Sequence, residues 1–304
     1  NEGLFSSQSE FSAFSYTDLM SLRKIETPLI PLPDYLYTDR KQKDEWLKKY
    51  YIPKEPGEIR ILGIDVAVMG GDNDNTVFTL VSAFPHDNKY YRQVRFIEHT
   101  RGAHSEAQSL RMKQLYYDFD VDIICLDCNG NGIGIYDAGS KKQYDKDRDT
   151  TYPAFTVFNR ENMIERVYGT SLNEAVPCIF GIKQDAKFNH FMLTYLRGAI
   201  ESKYISLPVE ENDAANLYED KNIPDKVAEQ YMKVNIETTL LIRELTALEV
   251  EQQKNSPYLK VSTSIRKDRF SSLGFANYYI QLREQELDET EDFDIDGDDF
   301  YFEI

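Results

Sequence analysis

The sequence predicts an α/β fold, a central mixed β-sheet with helices on its faces. Three observations predict it. Between Arg60 and His99, three β-rich runs of strand length follow one another across short polar turns, the pattern of sequential antiparallel strands. A segment with helical spacing, His104–Phe119, then leads into the apolar run Val121–Leu126, which fits a buried central strand. Beyond it helical segments dominate, and three strands, a helix, a strand and then helices is the order of an α/β sheet with mixed strand directions.

Taken in chain order, residues 1–58 are polar and interrupted by Pro28, Pro31, Pro33, Pro53 and Pro56, which break regular structure. A short helix is expected over Asp39–Tyr50, with Asp39 as its cap. Otherwise residues 1–58 are expected to be a linker or the edge of a neighbouring domain. The first strand of the main domain is Arg60–Met69 (RILGIDVAVM), closed by the turn GGDND. Thr76–Phe84 and Tyr90–His99 are the next two. Within His104–Phe119, Ala107, Leu110 and Leu115 recur at helical spacing. Asn129–Gly134 is a glycine-rich turn feeding a short helix, and Lys141–Thr151 is a charged loop. Phe155–Phe158 and Cys178–Phe180 are short strands. Helices are expected over Ala186–Ser202 and Val227–Gln252, a last strand over Tyr258–Ser262 and a last helix over Asp268–Gln285. The chain has no internal repeat.

Composition bounds the function. A hydrophobic share of 41% is ample for a buried core, and no apolar run approaches the ~20 residues that span a bilayer. The opening NEGLFSSQSEF has neither the basic head nor the apolar stretch of a signal peptide, and its first residue, Asn1, suggests a piece of a longer protein. Cys125, Cys128 and Cys178 are the three cysteines. No second pair or histidine cluster completes a zinc site, so they are expected to be reduced thiols of an intracellular protein. A net charge of −17 argues against a general nucleic-acid-binding surface, which should be basic. The acid is uneven, however. Residues 286–304 hold ten of the 52 Asp and Glu and no Lys or Arg, so they form an acidic tail and leave the body only mildly acidic. Any nucleic-acid contact must then be a local basic patch.

Three aspartates stand where a structural residue needs no charge. Asp65 interrupts an apolar strand, Asp127 ends another, and Asp268 opens a helix. Each has an ordinary role open to it: a strand end in solvent, the start of a turn, and a helix N-cap. Together they suggest more. Carboxylates at the centre of a sheet are costly to desolvate unless they meet a cation or hydrogen-bond donors, and several together repel unless metal ions hold them ionised. Hard divalent cations prefer oxygen ligands, and two such ions ~4 Å apart can activate water and stabilise the leaving oxygen in phosphodiester cleavage.

Three segments in order carry a family resemblance. GIDVAVMGGDNDNTVF, from Gly63 to Phe78, places an aspartate on a first strand before a glycine-containing hairpin. IICLDCNGNGIGIYD, from Ile123 to Asp137, ends a strand in an acidic residue before a Gly-rich turn into a helix. IRKDRFSSLGFANYYI, from Ile265 to Ile280, opens a helix with a late aspartate. Over Ile59–Gln285 the chain resembles the C-terminal nuclease domain of the terminase large subunit of tailed bacteriophages. The resemblance implies a ribonuclease H-like fold in which Asp65, Asp127 and Asp268 are both catalytic and metal-ligating, holding two divalent cations, Mg²⁺ or Mn²⁺. It implies an endonuclease that cuts concatemeric viral double-stranded DNA during genome packaging. Asp65 would bridge the two ions, Asp127 and Asp268 would each complete one shell, and a water on the metal would attack. Implied partners are double-stranded DNA, an ATPase domain, the small terminase subunit and the portal protein. The implied setting is the cytoplasm of the infected host cell, with transient docking on the procapsid and no membrane.

Other residues are placed around this centre. Arg266, Lys267 and Arg269 flank Asp268 and are candidates for holding the DNA backbone, since neutralising phosphates needs only local cations; a solvated helix start is the alternative. Lys183 and Lys187 are weaker candidates, as are Asp137 and Asp74 for a supporting role beside the aspartates, turn or surface duty being the expectation for the last two. The phosphate-binding loop G-x-x-x-x-G-K-S/T of an ATPase does not occur in the sequence. The expected organisation is therefore a leader from an ATPase domain over residues 1–58, a nuclease domain over 59–285 and the acidic tail over 286–304. Asp292–Glu303 (DFDIDGDDFYFE) has the spacing of a calcium loop, yet one residue follows it and no second loop pairs with it, so an acidic tail is the expectation. Two rival readings stay open: another ribonuclease H-like nuclease of resolvase or integrase type, and a non-catalytic docking module.

Overall fold

A computed structural model describes residues 12–66, 75–101, 104–128, 132–160, 163, 174–252, 257–262 and 265–295, with side chains followed to residue 287. It begins with helix α1 (Tyr16–Ser21), strand β1 (Arg23–Ile25), a 3₁₀ turn (Asp34–Thr38) and α2 (Arg40–Tyr50). The main sheet then opens with β2 (Ile59–Asp65), β3 (Asn75–His86) and β4 (Lys89–Arg101), followed by α3 (Ser105–Asp118), β5 (Ile123–Asp127) and α4 (Gly132–Gly139). A hairpin of β6 (Gln143–Asp145) and β7 (Thr150–Tyr152) precedes β8 (Phe155–Val157) and β9 (Val176–Ile182). The chain closes with α5 (Ala186–Glu201), β10 (Ile205–Pro208), α6 (Glu211–Asp220), α7 (Asp225–Thr246), the hairpin β11 (Glu249–Gln252) and β12 (Leu259–Ser262), and α8 (Asp268–Ile295).

Eight strands form one sheet in the order β1-β10-β4-β3-β2-β5-β9-β8. Only β3 runs against its neighbours; every other adjacent pair is parallel. The inner five set a hairpin to one side of β2 and parallel strands to the other, the arrangement expected of a ribonuclease H-like fold. Alternation sorts the side chains of β2 and β3. Leu62, Ile64, Phe78 and Leu80 face α3 and α4, packing on Met112, Leu115 and Ile135. Ile61, Val77 and Val81 face α5 and α8, packing with Leu193, Phe270, Leu273 and Ala276. The period-2 pattern thus fixes which face each strand residue meets.

Residues 12–58 pack on the body of the domain rather than standing apart from it. Leu19 and Leu22 are buried in the same core as α5 and α8. Strand β1 extends the sheet beyond β10. The amide of Leu29 donates at 2.8 Å to the carbonyl of Arg95, the extra residue of a bulge between β3 and β4. Trp46, Leu36 and Ile30 make a smaller core with Tyr218 and Tyr231. Asp39 caps α2 as expected, accepting from the amide of Gln42 at 3.0 Å.

Three local expectations also change. Lys141–Thr151 contains the β6–β7 hairpin, because Asp145 accepts from the amides of Asp147 and Arg148 and so folds the turn. The helix expected over Val227–Gln252 stops at Thr246, and Glu249–Gln252 pairs with Leu259–Ser262 instead. Helix α8 passes Gln285 and runs to Ile295, so the acidic tail begins inside a helix. Asp292 and Asp294 lie on that helix, whereas a calcium loop carries its first ligands off one. Among the described residues no helix is long and apolar enough to cross a membrane.

Candidate active site

The carboxyl ends of β2 and β5 meet where the chain reverses its direction of travel across the sheet, with β3 and β4 to one side and β9 to the other. In open α/β sheets that crevice is where ligands bind. Asp65 is the last residue of β2 and Asp127 the last of β5. Their strands are parallel with Ile64 opposite Leu126, so the two aspartates stand level with each other. Alternation puts both on the face covered by α8, beyond Gly63 and Cys125 respectively.

Helix α8 brings the third carboxylate. It crosses β2 so closely that a Cβ on Gly63 would lie 1.9 Å from the Ser272 carbonyl oxygen; only glycine permits that approach. The hydroxyls of Thr79 and Ser272, 2.6 Å apart, seal the contact. Asp268 is the first residue of α8, three residues before Ser271, whose side chain hydrogen-bonds Asp65. Glycine works similarly beyond β5, where a Cβ on Gly132 would fall 1.6 Å from the Asp127 carbonyl oxygen, so α4 starts tight against the strand end.

The charges register this proximity. Burial, then the negative charge of Asp268 and that of Asp127, pushes the Asp65 carboxyl up to about 7, against the opposing pull of the Ser271 hydrogen bond and the Lys267 ammonium. All three aspartates are half-buried. Among the described residues, however, no group of three or more His, Cys, Asp or Glu side chains is assembled closely enough to hold a metal ion as the chain stands.

The basic candidates divide. Arg266 Nη1 lies 3.9 Å from Asp268 Oδ2, and Lys267 acts on Asp65; both are half-buried on the segment leading into α8. Arg269 is a correction. It is 7% exposed and turned into the protein, its guanidinium held by Glu237 and Glu244 at 2.7 Å each. Its charge is neutralised internally, so it is no phosphate contact. Lys183, exposed, directly follows β9 at the same sheet edge, and Lys187 is exposed on the first turn of α5. Asp137 lies on α4, lining a polar hollow of about 540 Å³ with Ser105, Glu106 and Lys141. Asp74 lies outside the described residues.

Sequence reasoning missed Arg160. Its Nη1 donates at 3.3 Å to the carbonyl of Ile182, the residue paired with Asp127 across β5 and β9. Its backbone neighbour Asn159 grips Gly181 twice, accepting from its amide at 2.8 Å and donating to its carbonyl at 3.1 Å. A cation is thus fixed at the sheet end beside Asp127 by a loop that carries no motif. The three cysteines are buried free thiols. Burial pushes Cys128 up to about 12 against the nearby Arg160 cation, which keeps it protonated and inert.

Neither a family model nor a curated protein matches the sequence. Similar solved structures include a phage large terminase and nucleases of phage large terminases. The large terminase nuclease of thermophilic phage G20c is 13% identical, with 87% of this chain and 96% of that one covered and a TM-score of 0.41. The HK97 bacteriophage large terminase is 10% identical, covering 88% of this chain and 43% of its own, at a TM-score of 0.43. A variant nuclease domain from the large terminase subunit of bacterial virus Sf6, solved with manganese and beta-thujaplicinol, is 12% identical over 90% and 98% at a TM-score of 0.38.

Proposed function

We propose that this chain is a divalent-metal-dependent endonuclease that cuts concatemeric viral double-stranded DNA, acting as the nuclease of a large terminase during genome packaging. What supports the reading is the influence that the charges of Asp268 and Asp127, at the same end of the sheet, exert on Asp65, raising it, while the three carboxylates would have to draw closer to share an ion. Retaining such repulsion is costly unless a cation relieves it. The donor chemistry fits: three carboxylates and no sulfur suit Mg²⁺ or Mn²⁺, and two ions are the expected load. Bound there, the ions would supply Lewis-acid activation of water and offset the charge of the scissile phosphate.

The chain's own residues do the rest. The Ser271 side chain hydrogen-bonds Asp65 and orients it. Gly63 sets the distance at which α8 presents Asp268. Lys267, Arg266 and Arg160 would offer cations to the DNA backbone around the edge, positioning the duplex without reading its sequence. The partners of such an enzyme would be an ATPase domain, the small terminase subunit and the portal protein, and its setting the cytoplasm of the infected host.

The test is plasmid cleavage with Mn²⁺, Mg²⁺ or chelator by the parent chain and by Asp65→Asn. The expected result is metal-dependent nicking and linearisation, abolished by chelator and reduced at least about 100-fold in the variant, since losing even an outer-shell partner costs up to about 100-fold and Asp65 would be a direct ligand. Equal cutting by both proteins would refute the site. Absence of both cutting and Mn²⁺ binding in the parent would favour a docking module.

A further inference from the structure

The helix that carries Asp268 has no acceptor on the side chain at its N-cap position. The residue at its N-cap position is Lys267, whose carbonyl accepts the first intrahelical bond from the amide of Ser271 at 2.8 Å. A lysine side chain has no acceptor, so it cannot serve the amides that an Asp or Ser would serve there. Glu244 does so from another helix. It lies near the end of α7, 4% exposed, and its Oε2 accepts from the amide of Arg269 at 2.8 Å and that of Phe270 at 3.2 Å. These are the second and third residues of α8, the two whose amides an N-cap side chain normally satisfies. The carboxylate also meets the positive end of the helix dipole. Its other oxygen, Oε1, accepts from Arg269 Nη1 at 2.7 Å, so one side chain fixes the backbone and the guanidinium of the residue next to Asp268.

We propose that Glu244 is a positioning residue for Asp268, supplying from α7 the cap that Lys267 cannot and so setting where α8 begins and where its first carboxylate stands relative to Asp65 and Asp127. The inference rests on reading those three aspartates as the metal site. A merely structural ion pair would not need this arrangement, because Glu237 already meets the Arg269 guanidinium, accepting from Nε at 2.8 Å. Glu237 accepts from neither of the two amides; its second oxygen lies 2.6 Å from Nδ1 of His99. The two glutamates therefore share the ion pair and differ in the cap. In Glu244→Gln the side chain keeps its shape, but one terminal atom becomes a donor, so the cap or the guanidinium contact must be lost.

The experiment compares Glu244→Gln and Glu237→Gln in the full chain, with melting temperature, Mn²⁺ titration calorimetry, the Mn²⁺ needed for half-maximal plasmid cutting, and amide hydrogen exchange. Both variants are expected to melt earlier than the parent. Only Glu244→Gln should weaken Mn²⁺ binding, by about tenfold, the lower end of the effect of an outer-shell partner, and raise the Mn²⁺ needed for cutting in parallel. Only Glu244→Gln should also speed exchange at the Arg269 and Phe270 amides, by about tenfold, as local opening becomes easier. Equal shifts in both variants, or unchanged Mn²⁺ binding in Glu244→Gln, would overturn the proposal. If the parent binds no Mn²⁺ and cuts nothing, the metal-site reading fails. The exchange comparison then still decides whether Glu244 sets the helix start, and protected amides in Glu244→Gln would refute that too.

Discussion

Asp65 is held where burial and two like charges act in the same direction. Its carboxyl in the fold titrates near 7 against an ordinary value of 3.8. The folded state therefore binds this proton more tightly than the unfolded chain does. The resulting stability is fully present below about pH 4 and is lost as pH rises toward 7. In chelator, Asp65→Asn, which does not titrate and can still accept from Ser271, should raise the melting temperature at pH 8 and lose that advantage toward pH 4. A variant no more stable than the parent at pH 8 would show that the aspartate carries no such strain. Divalent ions must displace the same proton, so Mn²⁺ affinity by calorimetry should fall as pH drops below 7. Asp65 and Asp127 were candidates in the sequence because each interrupts or ends an apolar strand, and Asp268 because it opens a helix. Arg269 was misread because neighbours in sequence point differently once a helix begins: Arg266 and Lys267 precede α8, while Arg269 is turned toward α7. Arg160 was invisible because its place depends on β9, a strand remote from it in sequence.

At the scale of elements, the site depends on how closely α8 lies on β2. That distance is set by Gly63, where an added Cβ would meet backbone rather than a yielding side chain. Gly63→Ala should therefore cost about 3 kcal/mol or more, at the upper end of overpacking penalties, and should push the start of α8 off the sheet. Urea unfolding measures the first effect, and loss of Mn²⁺-dependent cutting at a temperature where the variant is folded measures the second. A fall below about 1 kcal/mol would mean that the helix can slide, since a packed core absorbs volume only by moving. Strands β2 to β5 were readable because apolar periodicity and turn residues agree locally. Elements fixed by distant partners were not. Strand β10 is four residues ending in Pro208, and its place in the sheet comes from β4 and β1. Glu249–Gln252 continues a helical pattern in sequence, yet pairing with β12 overrides that propensity.

For the whole molecule, the question is whether residues 12–58 unfold with the nuclease body or before it. The packing favours one cooperative unit. Trp46, the only tryptophan, is 8% exposed and packs from α2 against the α6–α7 pair. Arg148, with a fully buried side chain, joins the two parts: its guanidinium reaches Asp34 of the N-terminal segment at 2.7 Å and Asp118 of α3 at 2.8 Å. The proline-rich composition concealed this, because a segment without periodicity can still be ordered by the surface it covers. Trp46 fluorescence should therefore change at the same urea concentration as the far-ultraviolet circular dichroism of the whole chain, as two-state unfolding requires. Arg148→Met would leave Asp118 buried without its ion partner. That should lower stability by about 3–5 kcal/mol and move both curves together. A tryptophan transition that runs ahead of the dichroism, or that alone responds to Arg148→Met, would show instead that the N-terminal segment is a separable layer laid over an independently stable nuclease.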